Sequence, residues 1–251
     1  MKHHHYYLGK LTFKKSVRLL LLCPVPPNDR DEGPFPLAPR EYLLPTTHVD
    51  EIYCSGAPRS YESPRDGEKA LPLIVAKAKW AESQGYDAVI VNCMVDPGVP
   101  QAKRAVNIPV IGLGEASLAV AGLVGKNPAR VFPANIPVLE LAANEEKSFH
   151  ELVKAGRWQV AKRGVDVLIL NCAYLGGLAQ RVQAQLGVPV LANVDIGLRL
   201  GELLATFGVG CEREWVRYTR ASRLHRLASH VAYLLRRWLW KSSSKCTPLH
   251  I

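Results

Sequence analysis

The sequence predicts an α/β fold, built as two similar open parallel-sheet halves that face each other across a cleft. Three observations carry this. Short apolar runs alternate with amphipathic stretches, the connections between them are short, and one segment occurs twice. G-Y-D-A-V-I-V-N-C at 85–93 lines up with G-V-D-V-L-I-L-N-C at 164–172, and N-I-P-V-I-G at 107–112 lines up with G-V-P-V-L-A at 187–192. Alternating strands and helices imply a parallel sheet covered on both faces. Each copy places an Asn-Cys pair at the carboxyl end of a strand, the edge where open α/β sheets bind ligands.

The elements follow in order. Val17 to Leu22 is an apolar run closed by Pro24, Pro26 and Pro27, as expected of a buried parallel strand. Val49 to Cys54 gives a second strand, and Ser55-Gly56-Ala57-Pro58 is turn chemistry. Leu71, Ile74, Val75, Ala78 and Ala81 recur at helical spacing with Lys77, Lys79 and Glu82 between them, and Gly85 ends that helix. The strand 88–91 runs into Asn92-Cys93. Asp96-Pro97 then reads as a helix cap and first helical residue for about 97–106. A strand at 109–112 and a helix from Glu115 close the first half. In the second half a helix over 145–163, a strand 165–170, a helix after Gly176-Gly177, a strand 189–191 and a helix 195–204 repeat the order. Beyond these, Leu224, Leu227, Ala228, Val231, Leu234, Leu235 and Trp238 mark an amphipathic helix over 222–240, ringed by arginines. The predicted division is 17–116 for the first half, 117–205 for the second, and 206–251 for a basic C-terminal helix and tail.

A chain of 251 residues with 48% apolar residues can bury a substantial core. No stretch of about 18 apolar residues spans a membrane. Lys14-Lys15 before Val17–Cys23 is too short for a signal peptide, so the expected compartment is the cytoplasm. The net charge of +10 sits in the tails: residues 1–18 carry +5, residues 211–251 carry +7, and residues 19–210 carry −2. A nucleic-acid enzyme is expected to carry its basic stripe on the folded body, so none is expected to bind this core. The six cysteines show no CxxC and no zinc-ligand spacing, and no metal site is expected. G-x-x-x-x-G-K-[ST] and a complete G-x-G-x-x-G are absent, so no nucleotide cofactor is expected either.

The chemistry then falls to Cys93 and Cys172. A thiol just past a strand and beside a helix N-terminus sits in a positive local field, which favours thiolate. Two such thiols on opposite sides of one carbon suit proton exchange, one removing a proton and the other supplying one, with no cofactor. Two strand-end cysteines used only as small core residues are the plainer alternative; their equivalent placement in two matching halves favours the chemical one.

The chain resembles the Asp/Glu/hydantoin racemase superfamily, most closely its hydantoin racemase-like branch. The residues that carry this are N-C-M-V-D-P-G-V (92–99), P-V-I-G-L-G-E-A (109–116), V-L-I-L-N-C-A-Y-L-G-G-L-A (167–179) and G-V-P-V-L-A-N-V (187–194), and the likeness spans about 17–205. It implies two flavodoxin-like halves with the active site between them, and an isomerase of the cofactor-independent racemase or epimerase kind that moves the α-proton of an amino-acid-like or hydantoin-like substrate. By position, Cys93 and Cys172 match the acid/base pair. The backbone amides at Met94, Val95, Ala173 and Tyr174 match the groups holding a carboxylate or imide oxygen of the substrate. Ser55 falls in a loop lining the cleft, and Glu115 lies near the same edge. A homo-oligomer is implied as well. The chain departs from the family pattern where Cys23-Pro24-Val25 replaces Asn-Pro-Asn, where Asn171 and Tyr174 replace glycines, and between Gly122 and Val138. That last stretch is short enough to leave the second half without a strand. Two other functions stay open: a cysteine-dependent isomerase or decarboxylase of small dicarboxylic acids, and an inactive relative acting as a binding or assembly protein.

Overall fold

The computed structural model describes residues 14–27, 42–141 and 143–210. The expected basic helix over 222–240 lies outside them, as do Cys211 and Cys246. Among the described residues seven strands form two parallel sheets. The first contains β1 (Val17–Cys23), β2 (Thr47–Tyr53), β3 (Ala88–Val91) and β4 (Val110–Gly112) in the order β2-β1-β3-β4. The second contains β5 (Pro128–Val131), β6 (Val167–Leu170) and β7 (Val190–Leu191) in the order β5-β6-β7. The helices are α1 (Pro64–Ser83), α2 (Val99–Ala105), α3 (Leu113–Val124), α4 (Glu145–Arg163), α5 (Ala179–Leu186) and α6 (Asn193–Thr206). None of the described helices is long and apolar enough to cross a membrane.

The repeated segments occupy equivalent places bond by bond. Asn92 N donates to Leu22 O at the end of β1, and Asn171 N donates to Val131 O at the end of β5, both at 2.8 Å. Val89 N reaches Pro109 O and Leu168 N reaches Pro189 O, both at 2.9 Å. The aspartate of each G-x-D segment ties its strand to the start of the neighbouring strand: Asp87 accepts from Arg18 N, and Asp166 from Lys126 N and Asn127 N. Thus β3 matches β6, β1 matches β5 and β4 matches β7. Only β2 has no counterpart among the described residues.

The second sheet is therefore one strand short, as the short 122–138 stretch suggested, but the gap lies elsewhere than expected. The strand that opens the second half is present as β5. What is missing is an edge strand beside it, because the chain leaves β5 through a 3-10 turn (Val138–Glu140) straight into α4.

Strand alternation distributes the core into three layers. Leu20, Leu22, Val89 and Val91 face α1 and α2, and Leu168 and Leu170 face α4 and α5. The opposite faces, Leu19, Leu21 and Ile90 on one sheet and Val167 and Ile169 on the other, share a single central cluster with α3 and α6. Leu19 to Leu22 are wholly buried, each stabilising the fold by about 1.5–3 kcal/mol.

The central layer interleaves helices from both stretches of the chain. Helix α6, assigned by sequence order to the second half, packs on β1, β3 and β4 of the first sheet, while α3 packs on β6. Gly197 and Gly201 make this approach possible. A Cβ at Gly197 would run into Leu113 Cδ2, and one at Gly201 would lie 2.9 Å from Ile90 Cδ1.

Glu202 pins α6 to the segment leading into β2. Its carboxylate, 4% exposed, accepts from Leu44 N at 2.7 Å, Thr47 Oγ1 at 2.6 Å and Arg199 Nη1 at 2.8 Å. Burial alone would raise its pKa, but these donors outweigh burial and hold it below the ordinary glutamate value. Its contribution is therefore full above the unfolded-state pKa, about 4.3, and is lost as pH falls through the lower folded-state value. We expect Glu202→Ala to lower unfolding stability by about 2–4 kcal/mol at pH 7, with the gap to the parent narrowing in acid, as read by urea titrations at pH 7 and pH 4.

Candidate active site

The loops after β1, β3 and β6 enclose a cavity of about 230 Å³ between the two sheets. Cys93 and Cys172 both line it, and both are half-buried. Met94, Val95, Ala173 and Tyr174 line it too. The Met94 side chain, however, turns into the central core. Ser55 and Glu115 are not brought to the cavity. Ser55 sits in the exposed turn after β2, and the wall there is made by Ser60, Tyr61 and Glu62 instead. Glu115 is drawn away by its own helix: its carboxylate accepts from Gly112 N at 3.1 Å in a capping arrangement and pairs with Lys103.

The loop carrying Cys93 is fixed from a distance. Asp96 does cap a helix, but it is α3 and not α2. Its two oxygens accept from Gly114 N at 2.8 Å and Glu115 N at 2.7 Å, while α2 starts only at Val99, after Gly98 in the left-handed region. Asp96 itself has φ +50°, since the Asp-Pro turn points its carboxylate back at the open amides of α3. Gly112 and Gly114 have to be glycine because a Cβ at either would collide with that carboxylate. Arg130, from β5, reaches across to Met94 O and Gly114 O, both at 3.2 Å, and so ties the second sheet to the Cys93 loop.

Cys172 caps a 3-10 segment, Ala173–Leu178. Asn193, fully buried at the start of α6, donates to Leu170 O at 2.8 Å and Cys172 O at 3.1 Å and fixes the strand end. Arg130 and Asn193 were assigned no role from sequence. The signal for Asn193 was a polar residue opening a helix directly after a strand; for Arg130 there was none.

Both thiols depart from the expected electrostatics. Burial pushes Cys93 up to about 12; the Val95 amide donating to its sulfur opposes this only in part, and Cys172 nearby adds to the rise. Burial likewise pushes Cys172 up to about 11 against the Tyr174 amide. No α-helix begins at Cys93, since α2 starts six residues later, so the expected field is reduced to single amides. At neutral pH the cleft therefore holds two protonated thiols. Tyr174 lines it and is itself pushed up to about 12, first by burial and then by Cys172 and Cys23. We expect alkylation of Cys93 and Cys172 by iodoacetamide to rise about tenfold per pH unit from pH 7 to pH 10 with no plateau, as peptide mass spectrometry will read, whereas a free thiol levels off near pH 8.5–9. Levelling below pH 9 would contradict this.

Comparison with known proteins agrees with the α/β fold. The Asp/Glu/hydantoin racemase family model matches residues 38–132. The hydantoin racemase of Rhizobium meliloti is 26% identical over 210 residues, covering 73% of this chain and 86% of that protein. In fold, the chain is similar to the allantoin racemase from Klebsiella pneumoniae, with a TM-score of 0.71 at 22% identity, covering 78% of this chain and 91% of that one. It is also similar to the glutamate racemase from Bacillus anthracis, with a TM-score of 0.57 at 18% identity, covering 79% and 85%. The class defined is that of the racemases, enzymes of the isomerase type. The chain is similar to the Asp/Glu/hydantoin racemase superfamily, and the curated relatives it matches are hydantoin racemases.

Proposed function

We propose that the chain is a cofactor-independent racemase or epimerase of an amino-acid-like or hydantoin-like substrate, in which Cys93 and Cys172 exchange the α-proton. The observation that carries this is the placement of both thiols in one small cavity, each at the carboxyl end of an equivalent strand. One sulfur, as thiolate, removes the proton from one face of the α-carbon. The other, as thiol, delivers a proton to the opposite face. The developing negative charge spreads onto the adjacent carbonyl oxygen, and the amides at Val95 and Tyr174 stabilise whichever sulfur is ionised.

The raised pKa values fit this task. At pH 8 only about one thiol in a thousand ionises at a pKa near 11, which costs about 4 kcal/mol. The thiolate that forms is correspondingly a stronger base toward a weak carbon acid. A dicarboxylate decarboxylase of this fold calls for one thiol, so two thiols lining one cavity favour the isomerase. The reading also has the enzyme acting in the cytoplasm on a small carboxylate or imide, as a homo-oligomer. The exposed Leu118 and Leu123 on α3, with Leu203 on α6 and Phe207 just after it, support self-association.

The test is a single enantiomer of a 5-substituted hydantoin or of an amino acid in deuterated water. Optical activity should decay while deuterium enters the α-position, followed by polarimetry and proton NMR. Optical activity retained across hydantoins, amino acids and dicarboxylates would overturn the proposal.

A further inference from the structure

We propose that Asn92 is a specificity-determining residue of the cleft: its side-chain oxygen, held in one orientation by Cys23 and Glu51, accepts an N–H from the substrate. The inference rests on the racemase reading for what the bound molecule then undergoes, but the binding claim stands on the geometry of three residues.

The orientation follows from counting protons. A carboxylate only accepts hydrogen bonds. Glu51 Oε1 accepts from Tyr53 Oη at 2.7 Å and from Cys23 Sγ at 3.1 Å. Burial raises the pKa of Cys23, so the sulfur carries its proton, and that proton is committed to Glu51. Toward Asn92 the sulfur can then only accept, and Asn92 Nδ2 donates to it at 3.3 Å. This sets the polarity of the amide: nitrogen toward Cys23, oxygen away.

That oxygen is buried and has no hydrogen-bond partner among the described residues. Asn92 is 6% exposed and borders the cavity, directly before Cys93. Asn171 repeats the arrangement before Cys172, bordering the same cavity with its own side-chain oxygen buried and unpartnered. An orphaned acceptor is costly to keep, about 1–3 kcal/mol each. A ligand that supplies an N–H removes the cost, and one that supplies only oxygens, such as a bare carboxylate, leaves it in place. The cleft thus selects ring or chain amide nitrogens beside the reacting carbon, with Cys23 as the positioning residue that keeps Asn92 from turning over.

The test uses the full chain and three achiral probes, hydantoin, 1-methylhydantoin and 3-methylhydantoin, with binding read by calorimetry. For the parent protein we expect at least one methylated probe to bind about 10–100-fold more weakly than hydantoin. In Asn92→Ala, hydantoin should fall to the level of that probe while the probe itself changes little. Cys23→Ala should shrink the discrimination with Asn92 still present, and Cys23→Ser, which can donate to Glu51 and accept from Asn92, should restore it. Equal binding of all three probes to the parent, equal weakening of all three in Asn92→Ala, or no binding of any of them overturns the proposal. Proton exchange in deuterated water is scored separately. Exchange without N–H discrimination removes the role of Asn92 and keeps the racemase reading; discrimination without exchange does the reverse.

Discussion

Cys93→Ser and Cys172→Ser are each expected to lower racemisation by about 10²–10⁴-fold, the range for a general acid–base group in place. Serine keeps the size and the hydrogen bond from the Val95 or Tyr174 amide but does not ionise at any working pH. The two variants are expected to differ in a way that size alone cannot produce. Each retains one thiol, so each still takes up or releases a proton on one face. A substrate of one hand should therefore exchange its proton with solvent in one variant, and the opposite hand in the other, while neither variant interconverts the two. Chiral chromatography combined with deuterium counting separates exchange from inversion. Equal, undiminished racemisation in either variant would remove that cysteine from the chemistry.

Gly114→Ala should lower stability by about 3 kcal/mol and impair the site with it. A Cβ there would press into Met94 O, lie 2.7 Å from Asp96 Oδ2 and 3.0 Å from Arg130 Nη2. None of the three can yield cheaply: one is backbone, one caps α3, and one joins the two sheets. At about 2–4 °C per kcal/mol for a chain of this size, the melting temperature falls by roughly 6–12 °C. Gly122→Ala is the control on the same helix. A Cβ at Gly122 meets nothing within 4 Å, and alanine should stabilise the helix by about 0.5–1 kcal/mol. Equal effects of the two substitutions would mean that the Asp96 contact does not hold the Cys93 loop.

Elements with a strong local pattern were readable in the chain itself. The β3 and β6 segments are continuous apolar runs bounded by glycine, and α4 matched its expected bounds of 145–163, ending at Gly164 with φ +63°. What escaped depends on residues far apart in sequence. Strand β5 is four residues long, led by proline and only partly buried, so no periodicity marked it. The cap from Asp96 reaches 18 residues ahead to Gly114, and nearest-neighbour reasoning assigned it to α2. The place of α6 was signalled only by Gly197 and Gly201, a spacing that shows close approach to something without saying to what. At the candidate site, the Asn-Cys repeat pointed to the cleft. The protonation of the thiols did not follow from it, because burial is a property of the assembled loops. Cys23 was read only as a departure from the Asn-Pro-Asn pattern, since its partners Glu51 and Asn92 come from two other segments of the chain.

The placement of α6 also bears on how the protein is made. One face of the first sheet, with Leu19, Leu21 and Ile90, is closed by residues 193–206. During synthesis that face has no cover until nearly the whole α/β body has left the ribosome, about a hundred residues after Ile90 is added. The halves look separable along the chain, yet the first cannot complete its core before the last helix of the second arrives. Long-range closure of this kind slows folding and prolongs the exposure of apolar strands. The described body is therefore committed to folding as a unit, and a break in the chain between β7 and α6 would disable the half that precedes it by a hundred residues as surely as the half in which it falls.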